Sequence, residues 1–419
     1  MRVVVDCRYT RIGRHDGISR FTAGIVAELA KLHPVTMLIS DRRQLELLPD
    51  LPWVVVGSPT GVMEPFIART INRMQPDIVF SPMQTMGSWG RRYRLLLTLH
   101  DLIYYEHPTP PRDLPAFVRV LWRLYHLAWW PQRMLLNRAD AVVTVSDTTA
   151  SLIAEHGLTE RPVSVVPNAA DALVEVRRPR RVPTRGRLLY MGSFMPYKGV
   201  ETLVLAAARL PGHELHLLSR ISESDRRRLT ALAPQARLVF HDGVTDAEYG
   251  ELLAGATALV HASSAEGFGI PLVEAMRAGT PVVVSDIPIF REIGGDAARY
   301  FATGDPDGLA AQVRALEEPG EWERRSAASF ERAGAFAWDR SAARLLELMR
   351  EVVGEGRRAR PRPAARGRRS ASTGGSARVL DGLTGALSGL GGTLAGVTAA
   401  LGRSSRSGGR SSGRRVAGR

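Results

Sequence analysis

The sequence predicts an α/β protein of two similar open parallel sheets, followed by a basic tail. Three observations carry that prediction. Short β-branched runs alternate with helical patterns up to about residue 166, and a second alternating set starts at Leu188. A polar run rich in Arg and Pro, over 171–187, separates the two sets and reads as a linker. One stretch, LVHASSAEGFGIPLVEAMRAGTPVVVSD over 259–286, reads as buried strand, polar loop, helix, tight stop and buried strand.

Composition supports two cores plus extras. The chain has 419 residues, 44% of them apolar, long enough for two domains. Its single cysteine, Cys7, excludes a disulfide framework and a cysteine-rich metal site, and suits a reducing compartment. No run approaches the roughly 20 apolar residues of a membrane helix. The opening Arg2–Asp6 reads as a first strand rather than a signal segment. The net charge is +14, but residues 357–419 hold 14 Arg, no Lys and one acid, so they carry 14 − 1 = +13. The remainder is 14 − 13 = +1. The globular part is nearly neutral, and the basicity is a tail.

In order, Val3–Val5 reads as a strand, 7–19 as a glycine-bearing loop and about 19–32 as a helix. That is the opening of a nucleotide-type α/β unit. Strand-like runs follow at 35–39, 53–56, 77–80, 94–99, 141–145 and 163–166. His100-Asp101-Leu102 falls at the carboxyl end of one of them, and Ser146 opens a helix after another as its cap. The segment 113–137 differs: Trp122, Trp129 and Trp130 occur with Arg119, Arg123 and Arg133, and Phe117, Leu121 and Leu124 recur at helical spacing. It reads either as a core helix with a basic outer face or as an interfacial element with Trp at headgroup level. Pro131 should kink or end it.

The second set runs strand 188–191, helix 199–209, strand 214–218, helix 223–233, strand 237–240, helix 246–255, then the stretch 259–286. Helices at about 305–318, 321–333 and 338–353 follow. The domains expected are therefore 1–170, completed by helix 338–353, then the linker 171–187 and 188–337. From 354 the composition turns to Arg, Gly, Ser, Ala and Pro, which reads as disorder. Inside that tail Leu380, Leu383, Leu387, Leu390, Leu394, Val397 and Leu401 keep a 3-4 spacing, diluted by glycines that oppose a free-standing helix.

Within 259–286 the chemistry follows from placement. Glu266 lies on the loop at a strand's carboxyl end, where open α/β sheets bind ligands, and Glu274 is expected in the first turn of the helix. Gly267 and Gly269 let backbone approach a ligand closely. The helix amino terminus offers N–H donors and positive dipole to a phosphate. Two carboxylates there can accept from sugar or ribose hydroxyls. On spacing alone, a loop cap and a solvated first-turn acid explain the same pair.

The string EGFGIPLVEAM closely resembles the E-x7-E signature of family 4 glycosyltransferases, retaining enzymes of the GT-B fold. The resemblance extends over roughly 1–353. It implies two Rossmann-like open parallel-sheet domains facing a cleft. Gly17 in the first βα loop resembles the glycine placed near donor phosphates and acceptor. His100 resembles the histidine that contacts the transferred sugar. Pro167-Asn168-Ala169 resembles the interdomain edge, with Ala169 where glycine is usual. In MGSFMPYKG, Gly192 and Ser193 fall in the phosphate element and Lys198 matches the pyrophosphate lysine. An arginine is common in that element. Here Ser193 stands there instead, and Arg220, in LLSRI at the end of the next strand, is the candidate substitute.

The resemblance thus implies a hexosyltransferase using a nucleotide-diphosphate sugar, with GDP-mannose the leading donor and UDP-sugars open. The acceptor is a hydroxyl of a glycan, glycolipid or polysaccharide precursor. Catalytic roles are expected for His100, Glu266 and Lys198. Gly17, Gly192, Ser193, Lys198, Arg220, Glu266, Gly267, Phe268, Gly269, Ile270 and Glu274 would bind the donor. No cofactor or metal site is expected, since no obvious DxD stands directly at a strand end. A cytoplasmic enzyme follows, with an anionic membrane surface as a partner of the tail and the Trp/Arg segment. The competing readings are another GT-B enzyme, a phosphorylase or sugar-nucleotide epimerase, or a nucleic-acid or scaffold protein acting through the tail. A phosphorylase would be longer, an epimerase would lack this acid pair, and the tail has no aromatics for base stacking.

Overall fold

The computed structural model describes residues 1–13, 16–110, 116–170, 183 and 186–358. The apolar runs become two parallel sheets. The first holds β1 (Val3–Asp6), β2 (Val35–Ile39), β3 (Trp53–Val55), β4 (Ile78–Ser81), β5 (Arg94–Leu99), β6 (Ala141–Thr144) and β7 (Val163–Val165), in the order β3-β2-β1-β4-β5-β6-β7. The second holds β8 (Gly186–Tyr190), β9 (His213–Leu217), β10 (Leu238–Phe240), β11 (Ala258–His261), β12 (Val282–Ser285) and β13 (Arg299–Phe301), in the order β10-β9-β8-β11-β12-β13. Central strands such as β1, β4, β6, β11 and β12 are buried at every residue. Parallel strands covered by helices on both faces read as unbroken apolar runs rather than alternating ones.

Strand order places the site. In the first sheet β1 pairs with both β2 and β4; in the second β8 pairs with both β9 and β11. Connections leave β1 and β8 in one direction and return on the other side, so a crevice opens outside the carboxyl ends at each reversal. The loops after β1, β5, β8 and β11 all lie on these edges. This is the two-domain architecture that the sequence predicts.

The last helix, Trp338–Arg358, returns to the first domain and lies on helix Gly17–Leu32. Its anchor is Trp338, whose ring meets Phe21 edge-on, with centroids 6.1 Å apart. Ser341 donates from Oγ to the Pro167 carbonyl at 2.7 Å. Gly24 makes the approach possible, because a Cβ built there would lie 2.4 Å from Trp338 Cε2. Gly24→Ala therefore sets two effects against each other. Helix propensity gains about 1 kcal/mol, and overpacking costs about 1–3 kcal/mol. We expect a lower Tm, partly recovered in Gly24→Ala/Trp338→Leu. A thermal melt at or above the parent's would contradict this packing.

Segment 113–137 becomes two helices, Ala116–His126 and Trp130–Leu136, with Pro131 in the first turn of the second. Trp122 is buried and Trp130 exposed, so the segment is core on one side and surface on the other. Arg112, the linker residues 171–182 and the tail from 359, with its leucine-spaced stripe, lie outside the described residues.

Candidate active site

The second domain contributes the charged centre. After β8 the chain makes a short 3-10 turn, Pro196–Lys198, and then Gly199 at φ +60°. A Cβ on Gly199 would lie 2.3 Å from the Ala262 carbonyl oxygen, so both conformation and space demand glycine. That turn points Lys198 at the loop after β11. Its Nζ lies 2.5 Å from Glu266 Oε1, with both side chains largely buried. The same Oε1 accepts from Ser263 Oγ at 2.9 Å, and Ser263 Oγ lies 2.9 Å from His261 Nδ1.

Charge at this centre is fixed by burial and by the lysine. Burial alone would raise the Glu266 carboxyl; the Lys198 ammonium outweighs it and holds the group below the usual carboxylate range. Burial pushes His261 down to about 4, so its imidazole is neutral at physiological pH. Neither His261 nor Ser263 is singled out by the sequence motif. Their i, i+2 spacing at a strand end was the available signal, since alternate residues of an extended chain face the same side.

The loop after β8, where the resemblance expects phosphate to bind, lies alongside. Gly192 N–H donates to Ser219 Oγ at 3.1 Å, tying the loop after β8 to the loop after β9. Ser193 is exposed, and its carbonyl accepts from Tyr190 Oη at 2.6 Å. Arg220 is exposed at the carboxyl end of β9, its side chain lying against Gly243. Among the described residues it forms no ion pair. The structure thus leaves Arg220 on the carboxyl edge of the second sheet but outside the Lys198–Glu266 contact.

The first domain closes over this edge. His100 donates from Nε2 to the Pro82 carbonyl at 2.7 Å and packs edge-on against Phe21 at 5.1 Å. Burial lowers its pKa, so the ring is neutral and its Nδ1 is left as an acceptor. Asp101, which the resemblance does not mark, is the more perturbed neighbour. Burial pushes its carboxyl up to about 6, with Glu266 adding to the rise and Lys198 opposing it. Gly267 touches this segment: a Cβ there would lie 2.6 Å from the His100 carbonyl oxygen and 2.8 Å from Asp101 Cβ. Its glycine serves contact between the domains, in addition to any approach by a ligand. Ser146 caps helix Asp147–Glu155 through Thr149 N–H, as read from sequence, and also donates to the Gly267 carbonyl at 3.0 Å.

Glu274 is the fifth residue of helix Ile270–Arg277, one position beyond the first turn in which the sequence places it. It is buried, and Arg20 of the first domain lies 3.7 Å away. Arg20 also pairs with Asp246 at 2.5 Å. Gly17 opens helix Gly17–Leu32 rather than sitting in the loop before it, and faces Ile270 across the cleft. Phe268 turns into the core against Phe336, and Gly269, at φ +90°, starts the helix that Ile270 begins. Glu292 adds a further bridge, accepting from Asp147 N–H and Thr148 N–H at 2.8 Å each, at a helix amino terminus of the other domain. The structure therefore gathers Lys198, Glu266, Gly267, His100 and Asp101, with Glu274, Gly17 and Ile270 beside them.

Comparison with known proteins speaks to the family and the fold. Residues 15–172 match the family described as Glycosyltransferase Family 4, and residues 175–332 match Glycosyl transferases group 1. The MMP alpha-(1->4)-mannosyltransferase of Mycolicibacterium hassiacum is 28% identical over 62% of this chain and 66% of its own length. The O-antigen chain mannosyltransferase RfbU of Salmonella typhimurium is 25% identical over 53% of this chain and 60% of its own. The chain thus spans less than two thirds of either relative. Among solved structures, Anabaena Alr3699/HepE in complex with UDP and glucose superposes with a TM-score of 0.64 at 19% identity, covering 84% of this chain and all of that one. That likeness shows the GT-B fold.

Proposed function

This chain belongs to the glycosyltransferases of family 4, and we propose that it moves a hexose from a nucleotide-diphosphate sugar to an acceptor hydroxyl, with retention at the anomeric carbon. The observation that carries the reading is the Lys198–Glu266 pair at the topological reversal of the second sheet, faced by His100 and Asp101. An ammonium beside a carboxylate at such an edge is a preformed seat for a diphosphate and the sugar attached to it. An incoming diphosphate competes with Glu266 for Lys198. Lys198 then carries the charge that develops on the leaving phosphate, and Glu266 is freed to accept from sugar hydroxyls.

His100 Nδ1 offers the sugar a further acceptor. Glu274 is assigned to the ribose, with Arg20 fixing its carboxylate. Gly192, Ser193 and the backbone of Phe268, Gly269 and Ile270 line the path of the phosphates. No general base is assigned, because retention by same-face attack leaves the departing phosphate to assist deprotonation. Mannose from a GDP donor is favoured because both curated relatives named above are mannosyltransferases. The UDP held by the Anabaena protein keeps UDP-sugars in the test panel. The acceptor class is a glycan, glycolipid or polysaccharide precursor, and no helix among the described residues is long and apolar enough to cross a membrane. Incubation with GDP- and UDP-hexoses, followed by NMR of the product's anomeric proton, tests the reading. An α-donor should give an α-linked product, and an inverted product would remove the retaining assignment.

Arg220 provides a sharper check on the diphosphate seat. If its guanidinium replaces the arginine displaced by Ser193, Arg220→Ala should raise the Kd of the nucleoside diphosphate roughly tenfold, about 1.4 kcal/mol. The Kd of the nucleoside should stay unchanged. Equal losses for both ligands, or none, would leave Ser193 as an unreplaced departure.

A further inference from the structure

We propose that helix Ala116–His126 and the start of the next helix form a docking face for an anionic lipid surface, which would hold a lipid-borne acceptor at the cleft. The proposal deepens the acceptor half of the reading above and is independent of the donor half. Val120, Leu124 and Leu127 are 56%, 58% and 72% exposed. At i, i+4 and i+7 they fall on one stripe of the helix. Trp130, 47% exposed, follows directly, while Trp122 is buried on the opposite side. An amphipathic helix with its apolar stripe turned outward is the arrangement of an interfacial segment.

Charge selects the occupant. From 107 to 139 the chain carries five arginines, no lysine and one acid, a net of 5 − 1 = +4. Arg123 is exposed beside the stripe and Arg119 half-exposed. A second copy of the same face, brought up by a two-fold axis, would set these arginines against their equivalents. The tail, at +13, would likewise meet like charge. An anionic membrane attracts the arginines and accepts the apolar side chains together.

Position gives the surface its use. Trp122 and His126 pack against Tyr104 and Tyr105, and Trp129 stacks on Tyr105 with centroids 4.0 Å apart. That short helix, Ile103–Glu106, begins two residues after Asp101 at the cleft. His107, at its end, lies 3.3 Å by Nε2 from Ser264 Oγ in the loop that carries Glu266. A lipid surface on the outer face is thus one packed layer from the charged centre.

The test uses the full chain and vesicles of phosphatidylcholine alone or mixed with phosphatidylglycerol. The tail can adsorb electrostatically by itself, but that contribution fades in high salt, where the Debye length falls to about 3 Å at 1 M. Flotation in high salt should retain the parent on mixed vesicles and lose at least ten-fold of it in Val120→Ser/Leu124→Ser/Leu127→Ser. Arg119→Gln/Arg123→Gln should lower binding at moderate salt. Brominated lipid should quench an emission component that disappears in Trp130→Phe. Unchanged nucleotide binding in the triple variant shows that it is folded and separates this proposal from the donor reading. Equal flotation of parent and triple variant, or absence of the Trp130-dependent quenching, overturns it. A parent dimer that the triple variant abolishes, without lipid binding, would assign the face to a second copy.

Discussion

Lys198→Ala is expected to cut turnover by about 10²–10³-fold, the loss that follows removal of a donor aimed at developing transition-state charge. The expected effect has two parts that separate experimentally. The diphosphate loses its ammonium partner, which raises its Kd and destabilises the leaving group. Glu266, buried and also hydrogen-bonded to Ser263, loses the cation that keeps it ionised. Breaking a fully buried pair costs about 3–5 kcal/mol, but Lys198 and Glu266 keep 13% and 10% of their side-chain surface exposed, so we expect the lower end. Lys198→Met/Glu266→Gln should therefore recover stability without recovering turnover. Turnover of Lys198→Ala within a few-fold of the parent would show that the lysine serves only its ion pair.

Glu266→Gln is expected to lower kcat by about 10²-fold while leaving nucleotide diphosphate binding intact or tighter, since Lys198 is then unpaired before the ligand arrives. Glu274→Gln should show the opposite split, a weaker Kd with most of kcat kept at saturation. The pH dependence follows from the sign of the Glu266 shift. A carboxyl held below its ordinary pKa contributes stability above the unfolded value and loses it as pH falls through the folded one. Across pH 5–8 the group stays ionised, so the deficit of Glu266→Gln should be flat there. A deficit that vanishes at pH 5 would mean that the parent is itself protonated at that pH.

Much of this arrangement was legible in the chain because local rules and the fold agree. Apolar runs of three to five residues mark the central strands, which parallel sheets bury on both faces. Pro271 and Gly279 bracket the helix that carries Glu274. Gly267 and Gly269 stand out in the chain as special positions, yet the reason for Gly267 is only half visible there. Its backbone meets His100 and Asp101, more than a hundred residues away, and no local pattern encodes that approach.

What stayed hidden depends on tertiary partners. Arg20 reads as one charge on an exposed helix face, but it bridges Asp246 and approaches Glu274 across the cleft. The buried cluster of Arg8 with Asp6 and Glu64 is similar. Asp6 and Arg8 share one side at the end of β1, whereas Glu64 arrives from a turn with no periodicity to announce it. Gly87 N–H donates to the same Glu64 at 3.0 Å, so this cluster braces the loops that lead to the cleft. Trp122 and Trp130 show the opposite case, where one segment at helical spacing buries one tryptophan in the core and leaves the other exposed.

The most direct test of the central claim, that the Lys198–Glu266 centre seats a nucleotide-diphosphate sugar, is calorimetric titration with GDP, UDP and ADP of the parent and of Lys198→Ala. One nucleotide diphosphate should bind the parent with a clear base preference, and Lys198→Ala should weaken it at least tenfold while the matching nucleoside is unaffected. Failure of all three to bind the parent, or equal binding by parent and Lys198→Ala, would contradict the account.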